Sequence, residues 1–431
     1  MWQRAIKSLP GGNGLLSKRP DRYAPDIWPS YFSRSSGVSV VDLDGNNFID
    51  MAQMGIGSAI LGYAHPELTN SVAEVIKEGV NCTLNAPEEV LLAEKLLDLN
   101  PFAGGVRFAR SGGEAMAMAV RIARAKTGRD KVIFSGYHGW CDWYLATNLN
   151  NKDGLSDHLI PGLSTQGVPA GLINTAIPFA YNDIENFEKT IKENSDAGVI
   201  CLEGARYDFP SKEFLESVSR LAKKHKMIII SDEITSGWRM TDGGVYKING
   251  FNPDIVVYAK AMGGGFAISA VVGTDEVMHS AQDTFMSSTM WTERVGFAAG
   301  LATIEILTRD KVWEHLIKIG TQIGDGWLRL SKKHQLKISI TEFKPLITMK
   351  LDYGDRNQAL ATLFTQEMLK RGYLAATSVY VSYAHTEDIV NDYLKSVDEC
   401  FLILSSVIEN NYENMRLETS IRSDSFKRIT P

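Results

Sequence analysis

The chain reads as an α/β protein: a mostly parallel sheet with helices on both faces, joined to a smaller α+β domain. Three observations predict this. Short apolar runs recur along the middle of the chain: "VRFA", "KVIFS", "GVICLE", "MIIISD", "DIVVYAK" and "AISAVVG". They are continuous rather than alternating, as in strands buried on both faces. Amphipathic stretches such as "EFLESVSRLAKKH" sit between several of them, and that alternation is the pattern of parallel strands with helical crossovers. Finally, 431 residues exceed one minimal core, so more than one domain is expected.

The elements follow in order. The first 35 or so residues, with "LPGGNGLLSKRP" and "YAPDIWPS", are rich in Pro, Gly and Ser and predict an extended arm. "GVSVVDLDGNNFIDM" predicts a hairpin, two alternating runs around a "DGNN" turn. "SVAEVIKEGV" and "PEEVLLAEKLLDL" predict amphipathic helices before the sheet begins. Beyond it, helices at "GFAAGLATIEIL" and "KVWEHLIKIGTQIGDGWLRLSKKH" lead into an α+β tail with "KISITEF", "LITMKL", a further helix and "YVSYAHTEDIV". The expected division is an arm and hairpin over residues 1–55, a large sheet domain over 56–305, and a C-terminal small domain over 306–431, with residues 1–55 part of the small domain.

Composition removes several function classes. A net charge of −6 carries no basic footprint of a nucleic-acid binder. No run approaches the ~18 apolar residues of a membrane span. The start, "MWQRAIKSLPGGNG", has no apolar h-region, which argues against a secretory signal. Cys82, Cys141, Cys201 and Cys400 are far apart and form no CxxC, and no HExxH or HxH occurs. They read as reduced thiols, not a disulfide frame or a zinc site. A cytoplasmic enzyme without metal is the expectation.

In open α/β sheets ligands bind beyond the carboxyl ends of the strands, so the polar residues ending each run matter most. "VRFA" leads into "RSGGEAMAMAVRIARAKTG", where a glycine pair opens an Ala-rich helix whose first N–H groups form a ready anion site. Ser111 and Glu114 equally fit a capping box, which needs no ligand. "KVIFS" delivers Tyr137 and His138, "GVICLE" ends at Glu203, "MIIIS" at Asp232, and "DIVVYA" at Lys260 before three glycines. Alone, Asp232 reads as a cap or a partner of Arg239, and Lys260 as a solvated strand end. Together, an anion site, a planar aromatic, a buried carboxylate and a lysine suit pyridoxal phosphate: phosphate on the helix start, ring against the aromatic, ring nitrogen on the carboxylate, covalent link to the lysine. The glycines after Lys260 would leave room for the cofactor and for lysine movement.

These same residues carry a family resemblance. "SDEITSGWR", "YAKAMGGG", "RFARSGGEAMAMAVRIARAKTGRDKV", "GYHGW" and "LGYAHPEL" resemble class III aminotransferases of the glutamate-1-semialdehyde aminomutase-like branch, over roughly residues 35–310, with an echo at "VSYAHTEDI". The 28-residue interval from Asp232 to Lys260 fits the family. The resemblance implies fold type I with a seven-stranded, mostly parallel sheet, the large domain binding the cofactor, and a homodimer with shared active sites. It also implies roles. Ser111, Gly112 and Gly113 hold the phosphate, with Gly113 standing where the family usually has Thr. Tyr137 and Ile234 flank the ring, with His138 and Glu203 beside them. Asp232 pairs with the pyridine nitrogen, Lys260 carries the cofactor, and Thr289 reaches the phosphate of the neighbouring subunit. The catalytic set is Lys260, Asp232 and Tyr137.

Departures from the family bear on substrate. The Gly-Ser-rich gate is replaced by "CDWYLATNLNNKDGLSDHLIPG", the stretch after Glu203 shortens to "GARYDFPSKEF", and "WTERVG" brings Trp291, Glu293 and Arg294 near the site. The aminomutase's carboxylate-binding arginine has no match beyond the candidates Arg19 and Arg22. These changes favour a bulkier, more polar carbonyl acceptor of the sugar-derived class, with an amino acid as donor. The alternatives are an intramolecular aminomutase and a non-catalytic sensor of the same fold. Retention of both Asp232 and Lys260 counts against a sensor, and the absence of GxGxxG after the first strand against a nucleotide-binding dehydrogenase.

Overall fold

A computed structural model describes residues 1–426. The chain divides into two compact units, Pro66–Glu314 and Met1–His65 together with the chain from His315 onward.

The larger unit contains seven strands: β1 (Gly105–Ala109), β2 (Val132–Ser135), β3 (Ala176–Pro178), β4 (Val199–Glu203), β5 (Ile228–Asp232), β6 (Ile255–Tyr258) and β7 (Ser269–Gly273). They lie in the order β1-β7-β6-β5-β4-β2-β3, and only β7 is antiparallel to its neighbours. This is the predicted α/β sheet. Strands β2, β4, β6 and β7 are buried at every position, which explains their unbroken apolar runs: covered on both faces, they have no solvent side to encode. Strand β3 escaped the sequence reading because it is three residues long and ends in Pro178, tolerable at a sheet edge, where the missing N–H is not needed.

Four helices set the surroundings of the carboxyl edge: α1 (Gly112–Thr127), α2 (Ile184–Glu193), α3 (Lys212–His225) and α4 (Arg294–Arg309). Helix α1 buries Ala115, Met116, Met118, Ala119, Val120, Ile122 and Ala123; its alanines let it lie close to the sheet. Helix α4 packs on helices Pro66–Glu78 and Pro87–Leu99.

In the other unit, strands Ser39–Asp42 and Asn47–Met51 form the expected hairpin. Asp42 Oδ1 accepts the N–H groups of Asp44 and Asn46, each at 2.9 Å, and Gly45 takes φ +89°, an aspartate-organised turn. Phe32–Ser36 extends this sheet, and Tyr373–Ala375 joins it in parallel. A second sheet holds Ile338–Ile340, Leu346–Leu351 and Ser378–Tyr380. The arm is less extended than its composition predicts: Trp2–Ser8 is helical, with Gly12 at φ +77° against the Trp2 ring after its end. Among the described residues no helix is long and apolar enough to cross a membrane.

Candidate active site

The sheet places its polar residues in adjacent registers. Glu203 pairs with Asp232 across β4 and β5, and Asp232 with Val257 across β5 and β6. Lys260 follows three residues after Val257. Its φ of +30° is unusual for a residue with a side chain and marks a strained turn of the kind held at functional sites. The Lys260 Nζ donates to Thr235 Oγ1 at 2.8 Å. Thr235 is in the turn that begins at Asp232, so the lysine amine and the carboxylate share one turn.

Asp232 is 3% exposed. Its Oδ1 accepts the Ile234 N–H at 3.0 Å, and its Oδ2 accepts His138 Nδ1–H at 2.8 Å. The other ring nitrogen of His138, Nε2, donates to the Ser135 carbonyl at 3.1 Å. Both partners are acceptors, so both bonds form together only when the imidazole carries two protons. Burial alone would strip the second proton, but the hydrogen bond to Asp232 and its charge oppose this, and the ring's pKa lies well above its ordinary value. Burial also pushes the Cys201 thiol up, which leaves it neutral near pH 7 and makes Asp232 the working counter-charge. The arrangement gives each oxygen of the nearly dry Asp232 carboxyl a donor. His138 therefore lies behind the carboxylate, and the Arg239 Nε donates to the Thr235 carbonyl at 2.8 Å.

The neighbouring acid plays a different part. Glu233 is fully enclosed and accepts bonds from Ser236 Oγ, Ser231 Oγ, and the N–H groups of Val245 and Tyr246. Burial raises its pKa against those bonds. It organises the loop rather than facing the sheet edge.

Tyr137 is half-buried, with its N–H donating to Glu203 Oε2 at 3.1 Å. The Arg206 guanidinium lies 5.5 Å from the Tyr137 ring centroid and 3.6 Å from Glu203 Oε1. Sequence reasoning passed over Arg206 and Thr235, because their importance comes from which strand ends lie side by side.

At the start of α1 the capping box is real. Ser111 Oγ accepts the Glu114 N–H at 3.4 Å, and Glu114 Oε2 accepts the Ser111 N–H at 2.8 Å. The N–H groups of Gly112 and Gly113 have no acceptor among the described residues. Their lack of side chains is required: a Cβ on Gly112 would stand 2.9 Å from Ile234 Cδ1, and one on Gly113 3.1 Å from the Trp140 ring. A Cβ on Gly139 would lie 2.9 Å from Gly113 Cα. Two of the three glycines after Lys260 sit against neighbours: a Cβ on Gly263 would meet Ile268, and one on Gly264 would meet Leu68 and Thr303.

Thr289 is exposed on a short helical turn, Thr289–Thr292. The loop beneath it is fastened to the sheet by Arg107, which donates to the Met286 carbonyl at 2.7 Å, and by Arg110, which donates to the Met290 and Glu293 carbonyls. The three substrate candidates nearby are engaged within the chain. Trp291 Nε1 donates to Glu114 Oε1 at 3.4 Å, Glu293 caps α4 through the Val295 N–H at 2.7 Å, and Arg294 forms a two-pronged pair with Glu88 at 2.7 and 2.9 Å. Arg19 and Arg22 belong to the other unit, where Arg19 is locked in a two-pronged pair with Asp21 and Arg22 Nη1 donates to the Ser425 carbonyl.

The sequence profile of the aminotransferase class-III family matches residues 23–372. The 3-aminobutyryl-CoA aminotransferase of Cloacimonas acidaminovorans (strain Evry) is 30% identical over 401 residues, covering 90% of this chain and 92% of that protein. The 2'-deamino-2'-hydroxyneamine transaminase of Streptomyces kanamyceticus is 29% identical, covering 92% and 98%. The glutamate-1-semialdehyde 2,1-aminomutase of Sulfurisphaera tokodaii is also 29% identical, covering 91% and 96%. Among solved structures, the FumI protein of Sphingopyxis sp. MTA144, in its PLP internal aldimine form, shares the fold with a TM-score of 0.85 at 23% identity, over 96% of this chain and 97% of that one. The chain therefore belongs to the class III aminotransferases, pyridoxal-phosphate-dependent enzymes of fold type I.

Proposed function

We propose that this sheet edge binds pyridoxal 5'-phosphate through Lys260, and that the enzyme moves an amino group from a donor amino acid to a polar, sugar-derived aldehyde or ketone. The observation that carries the reading is the turn after β5: the Lys260 amine lies 2.8 Å from Thr235 Oγ1, three residues beyond a buried carboxylate that accepts a hydrogen bond from a buried imidazole. The chain's residues fit the cofactor. Two unpaired N–H groups open α1, and the space beside Gly112 and Gly113 is shaped by Ile234 and Trp140.

When bound, the cofactor supplies an electron sink for the carbon that loses its proton. Lys260 holds the cofactor until substrate arrives, and its Nζ then takes and returns the proton moved between the reacting carbons. Asp232 would pair with the ring nitrogen, and His138 braces Asp232 through its Nδ1–H bond. Tyr137 and Ile234 flank the ring, while Glu203 fixes Tyr137 through its backbone N–H. Ser111 contributes mainly by capping α1, leaving phosphate contact to Gly112 and Gly113. Thr289 serves the second site of a homodimer. The large-domain role assigned to residues 56–305 and a cytoplasmic location belong to the same reading.

The acceptor class has two supports. The aminoglycoside-related transaminase of Streptomyces kanamyceticus covers nearly its whole length in this chain, and Arg206 adds a cation against the Tyr137 ring. The test is a half-reaction screen on purified holoenzyme. A productive amino donor is expected to bleach the lysine–cofactor absorbance, and a sugar-derived carbonyl compound to restore it with loss of one equivalent of donor nitrogen. Turnover without consumption of any external donor would point to an aminomutase instead.

A further inference from the structure

Gly113 stands where the family resemblance expects a threonine, and the structure fills that space from another segment. A Cβ on Gly113 would lie 3.1 Å from both Trp140 Cδ1 and Trp140 Nε1. The residues on either side of Trp140 are both held against Gly113. Gly139, at φ +101°, approaches so closely that its own Cβ would sit 2.9 Å from Gly113 Cα, and Cys141 Sγ–H donates to the Gly113 carbonyl at 3.4 Å. Trp140 between them is 69% exposed, and its N–H has no acceptor among the described residues. An exposed indole gains little from burial, so packing alone does not account for its being fastened at both ends. Its nitrogen edge therefore lies against Gly113 in the first turn of α1, at the positive end of the helix. The nearest carboxylate, Glu114, is already engaged by the Ser111 N–H and Trp291.

We propose that the Trp140 indole N–H donates to the cofactor's phosphate, supplying from the loop after β2 the side-chain donor that Gly113 lacks. This rests on the cofactor reading above. The substitution of Thr by Gly and the presence of Trp are then one change: the glycine makes room for the indole, and the indole restores the hydrogen bond. An indole N–H is donor-only, so it suits a fully ionised phosphate.

The test compares equilibrium binding of pyridoxal phosphate with that of pyridoxal, followed by cofactor absorbance after dialysis. Trp140→Phe keeps an aromatic ring over Gly113 and removes only the donor. It is expected to weaken pyridoxal phosphate about tenfold or more, as for loss of one charge-assisted bond, while leaving pyridoxal unchanged. Gly113→Thr alone is expected to weaken binding, because its side chain meets the indole. Trp140→Ala with Gly113→Thr is expected to regain much of the lost affinity, the hydroxyl now occupying vacated space. Equal binding of pyridoxal phosphate by wild type and Trp140→Phe would overturn the assignment while leaving the cofactor reading intact. Failure of the wild type to bind the cofactor would remove both.

Discussion

Asp232 shows how much a single side chain's work depends on the residue behind it. A carboxylate at the end of an apolar strand is costly unless paired. Here the cost is offset by the Ile234 N–H and by a doubly protonated His138. Asp232→Asn is expected to fold normally: the amide oxygen still accepts the Ile234 N–H, and its NH₂ can face a His138 that has lost its Nδ1 proton. Turnover should nevertheless fall about a hundredfold or more, the scale seen when one preorganised electrostatic group is removed. Circular dichroism and steady-state rates check both halves, and near-wild-type turnover would make the acid purely structural. Asp232 and Lys260 were legible in the sequence because each ends an apolar run. Thr235, Arg206 and Trp140 were not, since nothing in their local pattern says which strand end or helix start they will meet. Trp140 did leave one trace, an aromatic directly after a glycine in "GYHGW".

At the level of elements, the turn after β6 carries Lys260 and the loop before α4 carries Thr289. The glycine run after Lys260 looked like space for a ligand, but two of its members are small because neighbours press on them. Gly264 has φ +57°, and a Cβ there would stand 2.5 Å from Leu68 Cδ2 and 2.7 Å from Thr303 Oγ1. Gly265, at φ +111°, has nothing within 4 Å of its Cβ position. Gly264→Ala therefore combines overpacking with backbone strain and is expected to lose about 2–4 kcal/mol, whereas Gly265→Ala carries strain alone and should lose about 1–2 kcal/mol. Denaturant titration of the two variants compares them, and equal losses would mean the contacts with Leu68 and Thr303 relax freely. The loop before α4 makes a related point. "WTERVG" offered three polar residues as substrate ligands, yet Trp291, Glu293 and Arg294 are engaged within the chain. The α/β pattern was readable because buried parallel strands need continuous apolar runs, and β3 was not because an edge strand of three residues needs almost no pattern.

For the whole molecule, the exposed Thr289 is the residue that distinguishes a self-sufficient chain from a shared site. It sits on a loop pinned by Arg107 and Arg110, so its position is set although its side chain faces solvent. Thr289→Val is expected to weaken cofactor retention by about 1.5–3 kcal/mol, one charge-assisted hydrogen bond. Mixing Thr289→Val with Lys260→Ala subunits should create heterodimers in which one site combines intact Lys260 with intact Thr289 and regains normal cofactor affinity. A mixture that behaves as the average of its parents, despite demonstrated subunit exchange, would place Thr289 outside the partner's site. The division into Pro66–Glu314 and the remainder puts Arg19 and Arg22 in the other unit from Lys260.

Borohydride reduction of holoenzyme followed by peptide mapping reads out the proposed link between Lys260 and the cofactor. The bound cofactor should be fixed to a single peptide containing Lys260, and Lys260→Ala should yield no labelled peptide. A label on any other lysine, or retention of covalent label in Lys260→Ala, would contradict it.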